Sequence, residues 1–224
     1  MQGGFELRNI VSNSNAVMEA VRSSASENRV SVSVEGIIEK ILGMRWLPKP
    51  DVFVFTLKLN KVPGDILDFS RKPSKRETLA VNMSVFDPFG FLENYMIMTK
   101  ILMQNIWKTS IDWNDPITDE IYRWWKLWRT ELKRVEQIRI ERCYFANFER
   151  ASVELHIFAD ASEEALAVVS YWRVVDSGKV KVNFVAAKTS CAPTRFHTIP
   201  KMELKAAVMG VRLKESIIKC HEVN

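Results

Sequence analysis

The sequence is poor in the features that mark secreted or membrane proteins. Its only three cysteines, Cys143, Cys191 and Cys220, are scattered, and none has Cys-X-X-Cys spacing. An odd, scattered set argues against a disulfide framework and favours an intracellular location, in the cytoplasm or the nucleus. No apolar run approaches the length that crosses a bilayer, so we expect no membrane partner.

Low-complexity tracts and internal repeats are also absent from the 224 residues. Hydrophobic residues make up 47% of the chain, which is enough for a sizeable core and argues against global disorder. The net charge of +5 permits a nucleic-acid partner but does not by itself demonstrate one.

The first third of the chain predicts a helix and a hairpin. A short apolar face within residues 5–28 favours a helix followed by a polar loop. Residues 41–46 and 52–59 have strand character, and residues 47–51 (LPKPD) separate them. Two prolines and an aspartate are typical of a hairpin loop and exclude a continuing helix.

From residue 75 to about residue 134 the pattern is helical, with breaks at Asp87-Pro88 and at residues 114–116. Thr118 is a good start for an amphipathic helix over residues 118–134. One broad side of this helix carries Ile121, Trp124, Trp125, Trp128 and Leu132. We expect these tryptophans to lie mostly in the core.

The last third predicts three antiparallel strands and a helix. The strands cover residues 153–159, 165–175 and 180–187, and residues 176–178 (DSG) form the turn between the last two. Pro200 opens a helix that continues to about residue 218. The fold class is therefore α+β.

Two carboxylates are the main candidates for chemistry. Asp160 directly follows an apolar strand, and Glu203 is expected in the first turn of the following helix. Such a pair can converge on Mg²⁺, which prefers hard oxygen ligands. The alternative is that Asp160 caps the turn at residues 161–162 and that Glu203 stabilises the helix N-terminus electrostatically.

The motifs around these carboxylates resemble the RNase H domain of BEL/Pao retrotransposons. The pieces that match are HIFADAS at 156–162, AKT at 187–189, AP at 192–193 and IPKMELKAA at 199–207. Upstream, the matching pieces are LGMRW at 42–46, PSKRE at 73–77, FDPFGFL at 86–92, WK at 107–108 and DWNDP at 112–116. They occur in the family's order, which is far more specific than any one piece.

The resemblance implies an organisation in three parts. Residues 1–70 would be the tail of a reverse transcriptase palm with its β-hairpin, and residues 71–150 a helical thumb- or connection-like region. Residues 151–224 would be the first part of an RNase H-like domain, a truncated antiparallel three-strand sheet with one helix. The partners implied are an RNA–DNA hybrid or template–primer duplex and the rest of the pol polyprotein.

The family also implies roles for residues. Asp160 and Glu203 match the first two of four metal-binding carboxylates, which would bind Mg²⁺ weakly on their own and support cleavage of RNA in hybrids. The other two would follow Asn224, and the polymerase Asp-Asp motif would precede residue 1. We therefore expect the chain to be inactive alone. A domesticated or decayed remnant that only binds nucleic acid is the alternative.

Basic residues offer candidate nucleic-acid contacts, in a loop and on the tryptophan helix. They are Arg71, Lys72, Lys75, Arg76, Arg123, Lys126, Arg129 and Lys133. Cations bind phosphates and aromatic rings stack on bases, although a solvated basic helix face gives the same pattern.

An aspartic peptidase is a minor alternative, because Asp176-Ser177-Gly178 follows two apolar residues. Such an enzyme needs two aspartates that share a proton, and the sequence has one triplet. A hairpin turn explains the triplet fully.

Overall fold

The computed structural model describes residues 12–24, 39–41, 44–57, 59–60, 62–144, 151–195 and 197–221. These residues belong to two compact units. One contains residues 1–56 and 134–143, and the other contains residues 57–133 and 144–224. No helix within the described ranges is long and apolar enough to span a membrane.

The first unit contains helix α1 (Asn15–Ser24) and a four-stranded antiparallel sheet. The strands are β1 (Glu39–Ile41), β2 (Met44–Leu47), β3 (Val52–Val54) and β4 (Arg139–Glu141), in that order across the sheet. The hairpin loop predicted between β2 and β3 is confirmed, and Asp51 there has a φ of 52°. Asp tolerates this left-handed conformation better than most residues.

Two strand predictions for this unit need correction, and one strand was not predicted. Residues 41–46 do not form one strand, because Ile41 pairs with Met44 and the chain folds back between β1 and β2. The strand predicted over residues 52–59 ends at Val54, where its partner Arg139 begins β4. Strand β4 was not predicted, since its three residues carry no periodic pattern. Most of residues 5–28 outside α1 lie outside the described residues.

The helical part of the second unit follows the predicted breaks. Its helices are α2 (Gly64–Leu67), α3 (Lys75–Asn82), α4 (Glu93–Lys108) and α5 (Asp119–Glu131). A 3₁₀ helix (Leu132–Gln137) follows α5, and its residues from Arg134 onward belong to the first unit. Ser74 and Glu77 form a reciprocal capping box at the start of α3. Thr118 accepts a hydrogen bond from the Ile121 N–H, so the predicted start of α5 is confirmed.

The tryptophans of α5 do not all lie in the core. Trp125 and Trp128 are buried, and the Tyr95 ring stacks on Trp128 at 5.2 Å between centroids. Trp124 is 61% exposed, so two of the three tryptophans are buried and the prediction that they lie mostly in the core is confirmed. Adjacent helical residues point about 100° apart, and a buried stripe centred on Trp125 and Trp128 leaves Trp124 on its outer flank.

The three-stranded sheet of the second unit agrees with the predicted pattern. Strands β5 (Ser152–Ala161), β6 (Ala165–Asp176) and β7 (Lys179–Cys191) pair antiparallel in sequence order. Ser177 and Gly178 both have positive φ, which is the geometry of a two-residue hairpin turn with the right twist. A register shift between Ser170 and Tyr171 marks a bulge in the β6–β7 pairing.

Helix α6 (Ile199–Cys220) packs against β5 and β6. It comes closest at Gly210, where an added Cβ would lie 3.3 Å from Val168 Cγ2 and 3.4 Å from Ile157 Cγ2. Met202 and Ala206 pack against Leu166 near one end of the sheet, and Ile217 packs against Trp172 near the other. Helix α4 contacts β7. The predicted α+β fold class is confirmed.

Candidate active site

Asp160 lies near the end of β5 and is exposed. Ile157 and Ala159 lie under Gly210 of α6, and successive side chains of a strand alternate between its faces. Asp160 therefore projects from the face of β5 that is turned away from α6. Its Oδ1 accepts a hydrogen bond from the Ala161 N–H at 2.8 Å. This bond is consistent with the alternative that Asp160 caps the turn at residues 161–162.

Glu203 is exposed on α6. The helix begins at Ile199, and its first turn contains no acidic residue, so Glu203 lies in the second turn and not in the first as predicted. The charge–dipole interaction is strongest within the first turn. Stabilisation of the helix N-terminus is therefore a weak explanation for a carboxylate at this position.

The two carboxylates lie at the same end of the β5–α6 pair. Met202, the neighbour of Glu203, belongs to the cluster against which Ala161, the neighbour of Asp160, also packs. Carboxylate oxygens suit Mg²⁺. The described residues nevertheless contain no group of three or more His, Cys, Asp or Glu side chains that could hold a metal ion. The chemistry of the ligands fits magnesium, but their number does not.

A cavity of about 440 Å³ lies beside Asp160, on the face of the sheet away from α6. Phe158, Tyr171 and Phe184 supply aromatic walls, and Glu93 at the start of α4 also lines it. The Asp160 row of the sheet runs through Ala167 to Thr189, and all three residues line the cavity. Asp160 thus lines a mostly apolar cavity.

A polar network that the sequence did not predict borders this cavity through Glu93 and Thr189. Lys100 Nζ contacts Glu93 Oε2 at 2.6 Å and donates to the backbone oxygen of Thr189 at 3.2 Å. The Thr189 hydroxyl donates to Glu93. Because this network joins α4 to β7, it holds the helical region against the sheet. Thr189 is 89 positions from Lys100 and 96 from Glu93, and no local pattern connects them.

The FDPFGFL segment docks beside the same network. Asp87 accepts hydrogen bonds from the N–H groups of Gly90, Phe91 and Leu92 at 2.6–3.1 Å, and the Ala187 N–H donates to the Phe89 oxygen at 2.9 Å. Burial raises the pKa of Asp87, and these hydrogen bonds oppose the rise. Gly90 has a φ of 77°, and an added Cβ would meet the Ala187 oxygen at 2.0 Å. Only glycine fits there.

The candidate cations of the loop before α3 are mostly engaged. Arg71 binds Asp65 and Glu77 at 2.7 Å each, which raises the pKa of Arg71 and lowers that of Glu77 to about 2. Lys72 binds Asp119 at 2.6 Å. These contacts give Arg71 and Lys72 a structural role.

Two further cations are buried. Lys75 is 4% exposed and Arg129 is 3% exposed, which argues against direct contact of either side chain with phosphates. Burial lowers the pKa of Arg129, and its Nε has no hydrogen-bond partner among the described residues. Arg76, Arg123, Lys126 and Lys133 are exposed and remain candidates.

Asp176 lies on the exposed turn between β6 and β7. Its Oδ1 accepts a hydrogen bond from the Ser177 hydroxyl at 2.9 Å, and its pairing partner across the strands is Lys179. The described residues around it form a hairpin turn, which leaves the Asp-Ser-Gly triplet explained without catalysis.

Three antiparallel strands, a helix packed on one face and a carboxylate at the end of the first strand are compatible with the RNase H-like class. The family model described as the Pao retrotransposon-like RNaseH-like domain matches residues 74–224, about two thirds of the chain. The chain belongs to this family, and the resemblance to BEL/Pao retrotransposon polyproteins is confirmed. Among curated proteins, none matches the chain.

Proposed function

We propose that this chain contributes Asp160 and Glu203 to a magnesium-dependent site that cuts RNA in RNA–DNA hybrids, within a retrotransposon polyprotein. The observation that carries the proposal is the membership of the RNaseH-like family. The neighbours Ala161 and Met202 place both carboxylates at one end of the β5–α6 pair, with Asp160 on the face of the sheet away from α6. Bound magnesium would supply the positive charge that activates water and stabilises the leaving oxygen.

In this proposal the chain is inactive alone, because two carboxylates leave a magnesium site short of ligands. The exposed cations Arg76, Arg123, Lys126 and Lys133 contact the phosphates of a template–primer or hybrid duplex. Their contribution is independent of base sequence and weakens as salt is raised, since binding releases counterions.

The test compares hybrid cleavage by this chain with cleavage by a longer chain. The longer chain continues past Asn224 into the corresponding region of an intact BEL/Pao element. We expect cleavage only by the longer chain and only with magnesium. In it, Asp160→Asn and Glu203→Gln should each lower the rate by about 100-fold or more, the scale lost when a group that stabilises transition-state charge is removed.

Two matched variants control for the loss of a surface charge. Asp176→Asn changes an exposed turn, and Glu215→Gln changes an exposed position later on α6. Both should retain full cleavage. Activity of the short chain, or full activity of the Asp160 or Glu203 variant, would show that the site has been placed wrongly.

A non-catalytic nucleic-acid-binding role is the second candidate. It is favoured by the lack of a three-residue metal cluster among the described residues, together with exposed cations on α5. If it is correct, hybrid binding persists in the Asp160→Asn variant, and no extension of the chain produces cleavage.

A further inference from the structure

Two tryptophans outside the candidate active site are exposed side by side. Trp107 at the end of α4 is 55% exposed, and Trp113 in the following segment is 39% exposed. Their ring centroids lie 5.4 Å apart, with the planes at 88°. Large aromatic side chains are usually buried because they remove much apolar surface from water, so two exposed neighbours call for an explanation.

The segment that carries Trp113 is held firmly against the start of α3. The Arg76 N–H donates to the Trp113 oxygen at 3.0 Å, and the Lys75 N–H donates to the Asp115 oxygen at 3.3 Å. The Ile117 N–H donates to the Pro73 oxygen at 3.0 Å. These bonds fix the backbone on both sides of Trp113. A surface ordered in advance loses little conformational entropy when it binds a partner.

Lys75 makes cation–π contacts with both tryptophans. Its ammonium lies 3.6 Å from the Trp107 ring centroid and 5.4 Å from that of Trp113, and it donates to the Ile111 oxygen at 3.3 Å. At this distance the ammonium covers one face of the Trp107 ring. The lysine itself is almost fully buried. More than half of Trp107 is nevertheless exposed, which leaves ring surface for a further contact.

Cations also flank the pair at the surface. The Arg76 guanidinium lies 5.6 Å from the Trp113 ring, and its Nε donates to the Asn114 side chain at 3.3 Å. Lys108 follows Trp107 and is exposed, with its ammonium 3.2 Å from Asn105 Oδ1. Asp112 and Asp115 lie in the same segment, and Asp115 Oδ2 accepts the Asp112 N–H at 2.9 Å. Open ring faces beside cations are the means by which proteins hold unpaired nucleic-acid strands.

We propose that Trp107 and Trp113 form a stacking platform for the bases of single-stranded nucleic acid. Trp107 stacks on an unpaired base, Trp113 borders it, and Arg76 and Lys108 contact the adjoining phosphates. The proposal builds on the proposed function, because it adds a site for an unpaired strand next to a hybrid. It depends on neither Asp160, Glu203 nor bound metal.

The test is equilibrium binding of the whole chain to fluorescein-labelled oligonucleotides in EDTA, by fluorescence anisotropy. The probes are a 12-nucleotide thymidine strand, a 12-nucleotide uridine strand and a 12-base-pair RNA–DNA hybrid. Base–aromatic stacking is worth roughly 1–3 kcal/mol per base, so Trp107→Ala should weaken binding of the single strands by about tenfold. Trp107→Phe retains an aromatic ring, so its affinity for the single strands should fall by about threefold or less.

Phe86→Ala is the matched control, because Phe86 is an aromatic residue of similar exposure, 50%, that precedes the opposite end of α4. It should bind all three probes as the unchanged chain does. Hybrid binding should change by less than about twofold in Trp107→Ala, since paired bases offer no free face to the platform. Arg76→Gln should lower the slope of log affinity against log salt by about 0.7, the value for one phosphate on a single strand.

Several outcomes would overturn the proposal. Unchanged single-strand binding in Trp107→Ala, or equal losses for hybrid and single strands, would show that the pair is not a stacking site. Trp107→Ala is first checked for folding by thermal melting. If it does not fold, the test uses Trp107→Phe and Trp113→Phe. In these variants the single strands should quench tryptophan fluorescence less than they do in the unchanged chain. Failure of hybrid cleavage leaves these measurements intact, because they contain no metal.

Discussion

The two sheets of this protein differ in the length of their strands and in the elements that pack against them. The four-stranded sheet has strands of three or four residues, and a polar cluster ties its last strand to the β2–β3 hairpin. In this cluster Arg142 Nε lies 2.6 Å from Asp51 Oδ1, which also accepts the Trp46 indole N–H at 2.9 Å. The Arg142 guanidinium lies over the Trp46 ring, 5.1 Å from its centroid.

The three-stranded sheet has strands of 10 to 13 residues. Its buried side chains face α6 in two apolar clusters, and the FDPFGFL segment and α4 dock against β7. Removal of apolar surface from water stabilises this sheet. The short sheet also buries Met44, Trp46 and Val54, and the charge-assisted contact of Arg142 adds to that burial. Predictions from this difference can be ordered by size.

The largest effect is expected at Gly90, where close packing leaves no room for a side chain. Gly90→Ala should lower the free energy of unfolding by about 3 kcal/mol, because the methyl group collides with the backbone of Ala187 as well as straining φ. Gly178→Ala is the control: its φ is also positive, but nothing lies within 4 Å. Gly178→Ala should lower the free energy of unfolding by about 1 kcal/mol, because it adds only the strain of the left-handed φ. Equal losses in chemical denaturation would refute close packing as the cause.

A smaller effect is expected from the Arg71–Glu77 ion pair at the start of α3. Glu77 has a pKa of about 2, mainly because Arg71 hydrogen-bonds to its carboxylate. A lowered pKa contributes stability that is present above the ordinary value near 4.5 and is lost as pH falls toward 2. Glu77→Gln should remove about 1–2 kcal/mol at pH 7 and should flatten the acid dependence in this window. An unchanged acid profile in urea titrations would contradict this assignment.

The smallest effect is expected at Arg142, whose ion pair with Asp51 is partly exposed. Arg142→Gln should lower the free energy of unfolding by about 1 kcal/mol. Amide hydrogen exchange should become faster in β2, β3 and β4 but not in β5, β6 and β7. Arg139→Gln, at the first residue of β4, is the control, because its guanidinium contacts the nearby backbone oxygens of Glu136 and Ile138. Faster exchange in the long sheet would mean that the two sheets do not differ as described.

Features with a local cause were predictable from the sequence. Strands β5, β6 and β7 alternate over many residues, the Ser177-Gly178 turn uses residues that accept positive φ, and Thr118 is a good helix N-cap. Asp160 and its place at the end of a strand followed from the same pattern together with the family motif. The family itself could be recognised because several motifs occur in a fixed order.

Features that depend on distant residues were not predictable. Strand β4 exists because Arg139 pairs with Val54, and the Glu93–Lys100–Thr189 network joins residues about 90 positions apart. The sequence determined which segments become helices and long strands, because periodicity and capping act over a few residues. Only the tertiary structure decided that Arg129 is buried, that Trp124 is exposed and that Lys75 lies beneath Trp107. Each of these depends on which surfaces meet, and neighbours in the chain do not specify that.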